Sequence, residues 1–272
     1  MRDSGFLVLA QNGPSGDYLR LAYGLALSIQ RTQKRVRDIT VGITPGMKIP
    51  SEYERVMNVI EIPWGDDAED AHWKITNKWK IYHMSPYKET IFLDADMLLP
   101  MDIGPWWSML RRQNLITCPT ACTHTGTPIQ NSAYRDWFRL NKFPDVYTTC
   151  LYFKKCEETQ KYFECVERVF QNWDGLRKEH GLPARITGDL AYALATKFMD
   201  ADATPHPLLK FIHMKGRALG FPDDNWEDYL SVYVREDGSI LAGNYLQTNP
   251  FHYVNKDFLT NEMIEILGGQ NV

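Results

Sequence analysis

Two carboxylates stand one residue apart at the end of an apolar run: Asp94 and Asp96 in TIFLDADMLL, Thr90 to Leu99. Six of those ten residues are strongly apolar, so the run reads as a core strand. Residues i and i+2 of a strand share a face, so the two carboxylates converge if the strand continues through them. Ligands of open α/β sheets bind beyond the C-terminal ends of the strands. Like charges held together there repel, and a divalent cation between them removes the repulsion. Carboxylate oxygens suit Mg²⁺ and Mn²⁺. A cation held this way can neutralise a diphosphate leaving group. The same pattern also ends ordinary strands in polar turns. The apolar run before it and the Leu98-Leu99-Pro100 exit weigh toward a site.

The elements that must position this pair alternate along the chain. Gly5 to Asn12 is a short apolar run closed by turn residues, which predicts a buried strand. Asp17 is placed to cap a helix over residues 18–35, where Leu19, Ala22, Tyr23, Ala26 and Ile29 recur at helical spacing. Strands are expected over 38–44 and 58–63, and a helix over 75–86, stopped by Pro86. With the carboxylate strand, this β-α-β-β-α-β order predicts an α/β sheet with parallel strands. Further strands are expected over 114–120, 147–155 and 208–216. Residues 157–181 predict a long amphipathic helix with Tyr162, Val166, Val169, Phe170 and Trp173 on one face, and 186–198 a shorter one. Residues 231–245 predict a hairpin around Asp237-Gly238. Residues 256–269 predict a closing helix with a Gly-Gly stop.

Composition narrows the classes. The chain has 272 residues, 44% of them hydrophobic and 12% aromatic, enough for a sizeable core. The formal net charge of −4 offers no broad grip on nucleic acid or an anionic membrane. The basic clusters at 31–37 and 110–114 read as solvated helix ends. Five cysteines, an odd number with no C-x-x-C pair, predict reduced thiols. A zinc site on Cys118, Cys122 and a distant ligand is the weaker alternative. No window reaches 18 apolar residues, and Phe6 to Ala10 is too short for a signal-peptide core. A soluble, cytoplasmic protein of one domain over 1–272 is expected.

IFLDAD resembles the Asp-x-Asp strand of the GT-A-fold glycosyltransferases, family 8 above all, which holds glycogenin and bacterial galactosyltransferase relatives. Four more stretches agree in order and spacing, from Gly5 to about Phe221. The resemblance implies a Rossmann-like nucleotide-diphospho-sugar transferase fold with a central, mostly parallel sheet flanked by helices. A small C-terminal hairpin and helix would follow. It divides the chain into a nucleotide-binding half (about 1–110), a sugar and acceptor half (about 111–221) and an appendage (about 222–272). The opening strand and helix would set Ala10, Gln11, Asn12 and Tyr18 at a nucleobase, the ring of Tyr18 offering a stacking face. Lys78, sixteen residues before Asp94, matches the family's helix lysine near the donor. Asp94, Ala95 and Asp96 would meet the diphosphate. LPARITGDLAYALA is similar to the family's Gly-Asp-Gln helix start and places Asp189 at the reacting carbon of the sugar.

FIHMKGRALGF is similar to the family's His-x-x-Gly-x-x-Lys-Pro-Trp segment. It implies His213 as third metal ligand, with Gly216 beside the diphosphate. The family's phosphate-binding Lys is Leu219 here, and Lys215 and Arg217 are the candidate replacements. Leu190 stands for the family's Gln, and Thr148, Thr149 and Cys150 for its Asn-Ser-Gly, so sugar contacts there differ. His252, Tyr253 and Lys256 either line an acceptor site or pack the closing helix. The implied activity is metal-dependent transfer of a sugar, with Mn²⁺ or Mg²⁺, from a UDP-linked or other nucleoside diphosphate donor to a hydroxyl acceptor. Retention at the anomeric carbon is implied. The acceptor stays open among glycan, protein, lipid, metabolite and modified nucleic-acid base, as does the oligomeric state. The rival readings are a nucleotidyltransferase, a haloacid-dehalogenase-like phosphatase and a non-catalytic binding module.

Overall fold

The computed structural model describes residues 2–68, 74–129, 133–199 and 209–269. Leu208, the expected first residue of the strand over 208–216, lies outside them. Strand β1 (Arg2–Ala10) reads as a continuous apolar run because both faces are covered. Phe6, Val8 and Ala10 face one apolar cluster, and Leu7 and Leu9 face the other. Full burial of each of the Phe, Val and Leu side chains contributes about 1.5–3 kcal/mol. Helix α1 (Tyr18–Thr32) follows, and the Asp17 carboxylate accepts from the Arg20 backbone N–H at its start. Strands β2 (Ile39–Ile43) and β3 (Asn58–Glu61) come next.

The helix expected over 75–86 is a different object. A 3₁₀ turn, Thr76–Lys80, runs into the single turn α2 (Ile81–Met84). Side chains three apart eclipse in a 3₁₀ turn. Asn77 and Lys80 therefore reach the same loop: Asn77 Nδ2 donates to Asp66 Oδ1 at 2.6 Å, and buried Lys80 pairs with Asp67 at 2.8 Å. These contacts hold the tighter winding, and Lys78 is buried toward Asp94 and Thr148.

Strand β4 (Tyr87–Asp94) stops at the first carboxylate, and β5 (Met97–Leu98) starts after a turn. Then come α3 (Gly104–Leu110), β6 (Leu115–Cys118), β7 (Thr120–Cys122), α4 (Asp136–Asn141) and β8 (Tyr147–Lys154). The amphipathic stretch 157–181 breaks at Asn172 into α5 (Glu157–Gln171) and α6 (Trp173–Glu179). Helix α7 (Gly188–Met199) and β9 (Lys210–His213) follow. The remaining elements are β10 (Val232–Val234), β11 (Ile240–Ala242), β12 (Tyr245–Leu246), β13 (Phe251–His252) and α8 (Asn261–Ile266). The closing helix is shorter than expected, because Thr260 caps it by accepting from the Met263 N–H.

The main sheet has the order β3-β2-β1-β4-β8-β6. Pairing is parallel from β3 to β4, and β8 runs against both its neighbours. Helix α1 packs in the cluster on one face, and α5 and α7 in the cluster on the other. A second sheet, β5-β13-β9-β7, sits where the chain leaves Asp96. A third, β10-β11-β12, contains the expected hairpin around Asp237-Gly238 and adds one strand to it. No helix among the described residues is long and apolar enough to cross a membrane. All five cysteines are free thiols.

Candidate functional site

Strand β1 lies between β2 and β4: the chain adds β2 and β3 on one side of it, then crosses over to add β4 on the other. That switch opens a crevice at the C-terminal ends of β1 and β4. A cavity of ≈ 230 Å³ fills it, lined among others by Gln11, Tyr18, Lys78, Asp94, Asp96 and Lys256. The two carboxylates meet there through a turn, not through the pleat of one strand. Strand β4 ends at Asp94, and Ala95 and Asp96 form the turn. An oxygen of Asp94, an oxygen of Asp96 and a ring nitrogen of His252 lie within 4.8 Å of one another. Two carboxylates and one imidazole are a donor set that suits Mn²⁺ or Mg²⁺, so these residues fit a divalent cation.

Cationic side chains flank both carboxylates. Lys78 Nζ donates to Asp94 Oδ1 at 2.7 Å and reaches Thr148 Oγ1 at 3.3 Å. The Lys256 ammonium donates to Asp96 Oδ2, and His252 Nε2 lies 3.0 Å from the same oxygen. Burial opposes ionisation of Asp96, but His252 and Lys256 outweigh it and hold the carboxyl far below the usual range. The other side of the His252 ring meets His213, Nδ1 to Nδ1, at 3.2 Å. Burial, helped by His252, pushes the His213 imidazole down to about 3, so it is neutral at neutral pH.

At the Gln11 end of the crevice lies a hydrogen-bonded knot. Gln11 Nε2 donates to Asp66 Oδ1 at 2.6 Å, and Thr44 Oγ1 donates to Asp66 Oδ2 at 2.7 Å. Burial resists charge on Asp66, but the donors Thr44, Ala68 N–H, Asn77 and Gln11 lower its carboxyl below the ordinary value. Asn12 is spent on the helix start, accepting from Leu19 N–H and donating to Asp17. Ala10 is wholly buried. Tyr18 lies in the lining with the Lys256 ammonium 5.4 Å from its ring centre.

Asp189 sits in the first turn of α7. A Cβ on Gly188 would meet Thr148 Oγ1 at 2.6 Å, so only glycine lets α7 start this close to β8. Asp189 Oδ1 accepts from Thr148 N–H at 2.8 Å and Thr148 Oγ1 at 3.0 Å. Asp189 Oδ2 pairs with buried Arg135 at 3.0 Å. The Arg135 guanidinium lies 3.5 Å from the Tyr147 ring centre and donates to the Val146 carbonyl at 2.9 Å. A polar path thus runs Asp94, Lys78, Thr148, Asp189, Arg135.

Among the residues singled out in the sequence, the crevice gathers Gln11, Tyr18, Lys78, Asp94, Ala95 and Asp96. It does not gather Lys215, Gly216 and Arg217. Lys215 and Arg217 are exposed and face Asp224, at 3.6 and 4.0 Å. His213 does not reach the carboxylates directly; His252 stands between. Tyr253 is fully buried against Phe258. His252 and Lys256, read as acceptor or packing residues, stand at Asp96 instead. The signal they carry, a histidine ending a short apolar run with a lysine close behind, is carried equally by FIHMKG, so the sequence did not set them apart. Arg135, Asp66 and Asn77 carried no signal.

The mostly parallel sheet flanked by helices, with its switch-point crevice, has the GT-A fold. No protein-family model matches the chain, and no curated protein does. Among solved structures it is similar to the galactosyltransferase LgtC in complex with donor and acceptor sugar analogues. The identity is 11% and the TM-score 0.54, with 98% of this chain and 97% of that chain covered. An active-site mutant of LgtC aligns at 10% identity and a TM-score of 0.52, over 98% and 97% of the two chains.

Proposed function

We propose that this protein is a glycosyltransferase that moves a sugar from a nucleoside diphosphate, UDP in the first instance, to a hydroxyl acceptor. One observation carries the reading: Asp94, Asp96 and His252 converge in the switch-point crevice of a GT-A fold, with Lys78 and Lys256 beside them. Asp94, Asp96 and His252 would hold Mn²⁺ or Mg²⁺, which supplies charge neutralisation to a departing diphosphate. Lys256 sits on a short strap after β13 and would turn from Asp96 to the phosphates, adding a charge-assisted hydrogen bond. Lys78 would keep Asp94 oriented. The Tyr18 ring and the Gln11 end of β1 would receive the base. Asp189, fixed by Thr148 and Arg135, would accept from sugar hydroxyls near the reacting carbon. Retention follows from the resemblance and would use attack from the leaving-group face or a carboxylate nucleophile. Asp189, tied by three hydrogen bonds, favours the first route.

Calorimetric titration of UDP, with and without Mn²⁺, into the wild type and Asp96→Asn tests this. Metal-dependent binding that disappears in the variant supports the proposal. Binding of neither UDP nor Mn²⁺ by the wild type refutes it.

A further inference from the structure

We infer that His213 is a positioning residue: it accepts a hydrogen bond from His252 Nδ1–H and so leaves the His252 Nε2 lone pair free for a divalent cation at Asp94 and Asp96. This inference rests on the metal-site reading above. Strands β13 and β9 are parallel, and their register sets His252 beside His213. Register partners on neighbouring strands point to the same face. The rings therefore meet, Nδ1 to Nδ1, at 3.2 Å, with centres 5.1 Å apart.

Facing ring nitrogens at that distance share one proton, one ring donating and the other accepting. On the far side, His252 Nε2 lies 3.0 Å from Asp96 Oδ2. With no cation present, the favourable arrangement has His252 Nε2–H donating to Asp96. Its Nδ1 then accepts from His213 Nδ1–H. A cation ligand needs a bare Nε2, so the His252 proton must stand on Nδ1 and His213 must accept a hydrogen bond from it. Passing from one arrangement to the other moves the His252 proton from Nε2 to Nδ1 and the His213 proton from Nδ1 to Nε2. Each ring keeps one proton, and none is released. A group at position 213 must therefore donate in one state and accept in the other. An imidazole does so by tautomer and a carboxamide by rotation; an aliphatic side chain does neither. The strand order gives the same division of labour. Strand β13 lies between β5 and β9, which puts His252 next to the carboxylate turn and His213 one strand behind.

The test titrates Mn²⁺ alone, read by its electron paramagnetic resonance signal, into wild type, His213→Leu and His213→Asn, each checked for a native melt. The expected result is affinity about 10–100-fold weaker in His213→Leu, as for other outer-shell partners. His213→Asn, which restores a polar atom near the Nδ1 position, should return to within a few-fold of wild type. Nitrogen-15 NMR of the histidine rings in the wild type, with and without Mg²⁺, should show the His252 proton passing from Nε2 to Nδ1. Equal affinity in His213→Leu and wild type overturns the inference and leaves the metal site standing. Equal losses in the Leu and Asn variants overturn it as well, assigning His213 to packing. If the variants do not fold, an unchanged His252 tautomer on adding Mg²⁺ overturns it. A wild type that binds no Mn²⁺ overturns the metal-site reading and this inference together.

Discussion

Replacing Arg135 with Met should destabilise the fold through a residue that touches neither carboxylate of the Asp-x-Asp turn. The Arg135 side chain is 9% exposed and that of Asp189 is 18% exposed. Arg135→Met keeps the stem packed under Tyr147 and removes only the guanidinium. Breaking one side of a buried ion pair costs about 3–5 kcal/mol. Asp189 keeps two donors from Thr148, which argues for the lower end. The lost stacking on Tyr147 adds up to about 2 kcal/mol. A total of about 3–5 kcal/mol is expected. Asp189→Asn should also destabilise, because its one oxygen can accept from Thr148 or from Arg135, and the amide NH₂ then faces the other donor. The double variant should fall short of the summed single costs by about 1–3 kcal/mol, since the two groups are direct partners. Urea unfolding at pH 7, followed by tryptophan fluorescence, measures all three. Additivity within about 0.5 kcal/mol, or a cost below about 1 kcal/mol for Arg135→Met, would refute the claim that this pair anchors the start of α7.

Lys256→Met removes a competitor for Asp96, so Mn²⁺ alone should bind more tightly by calorimetry. UDP with Mn²⁺ should bind about 10-fold or more weakly, the scale of one hydrogen bond to a charged group. Unchanged UDP affinity would remove Lys256 from the phosphate site. Lys155 behaves differently, because burial holds its ammonium down at about 8 from an ordinary 10.5. The unfolded chain binds more protons between those values, so stability rises with pH across that window. The cost of the buried charge is complete below pH 8. Lys155→Met should therefore stabilise the protein at pH 7 by roughly 1–2 kcal/mol, allowing for partial exposure. The gain should shrink as pH passes from 8 toward 10.5 in chemical denaturation. A gain that does not vary with pH would refute the linkage.

The amino-acid order alone determined the elements whose signals are local. The apolar run of β1, the Asp17 cap, the carboxylates after β4 and the Asp-Gly hairpin each lie within about ten residues of the side chains that specify them. So did the GT-A resemblance, because its motifs sit at strand ends and helix starts of that kind. Signals from periodicity failed where distant contacts override local preference. TNKWK looks like a solvated helix, yet Asn77, Lys78 and Lys80 are drawn inward by Asp66, Asp94 and Asp67. The third member of the proposed cation site was beyond local reading altogether. His213 and His252 both follow a short apolar strand, and nothing in either stretch says which one faces Asp96. The order β5-β13-β9 decides it, across 156 residues of chain between Asp96 and His252. Side-chain chemistry supplied the candidates, and strand pairing, a property of the whole folded chain, chose among them.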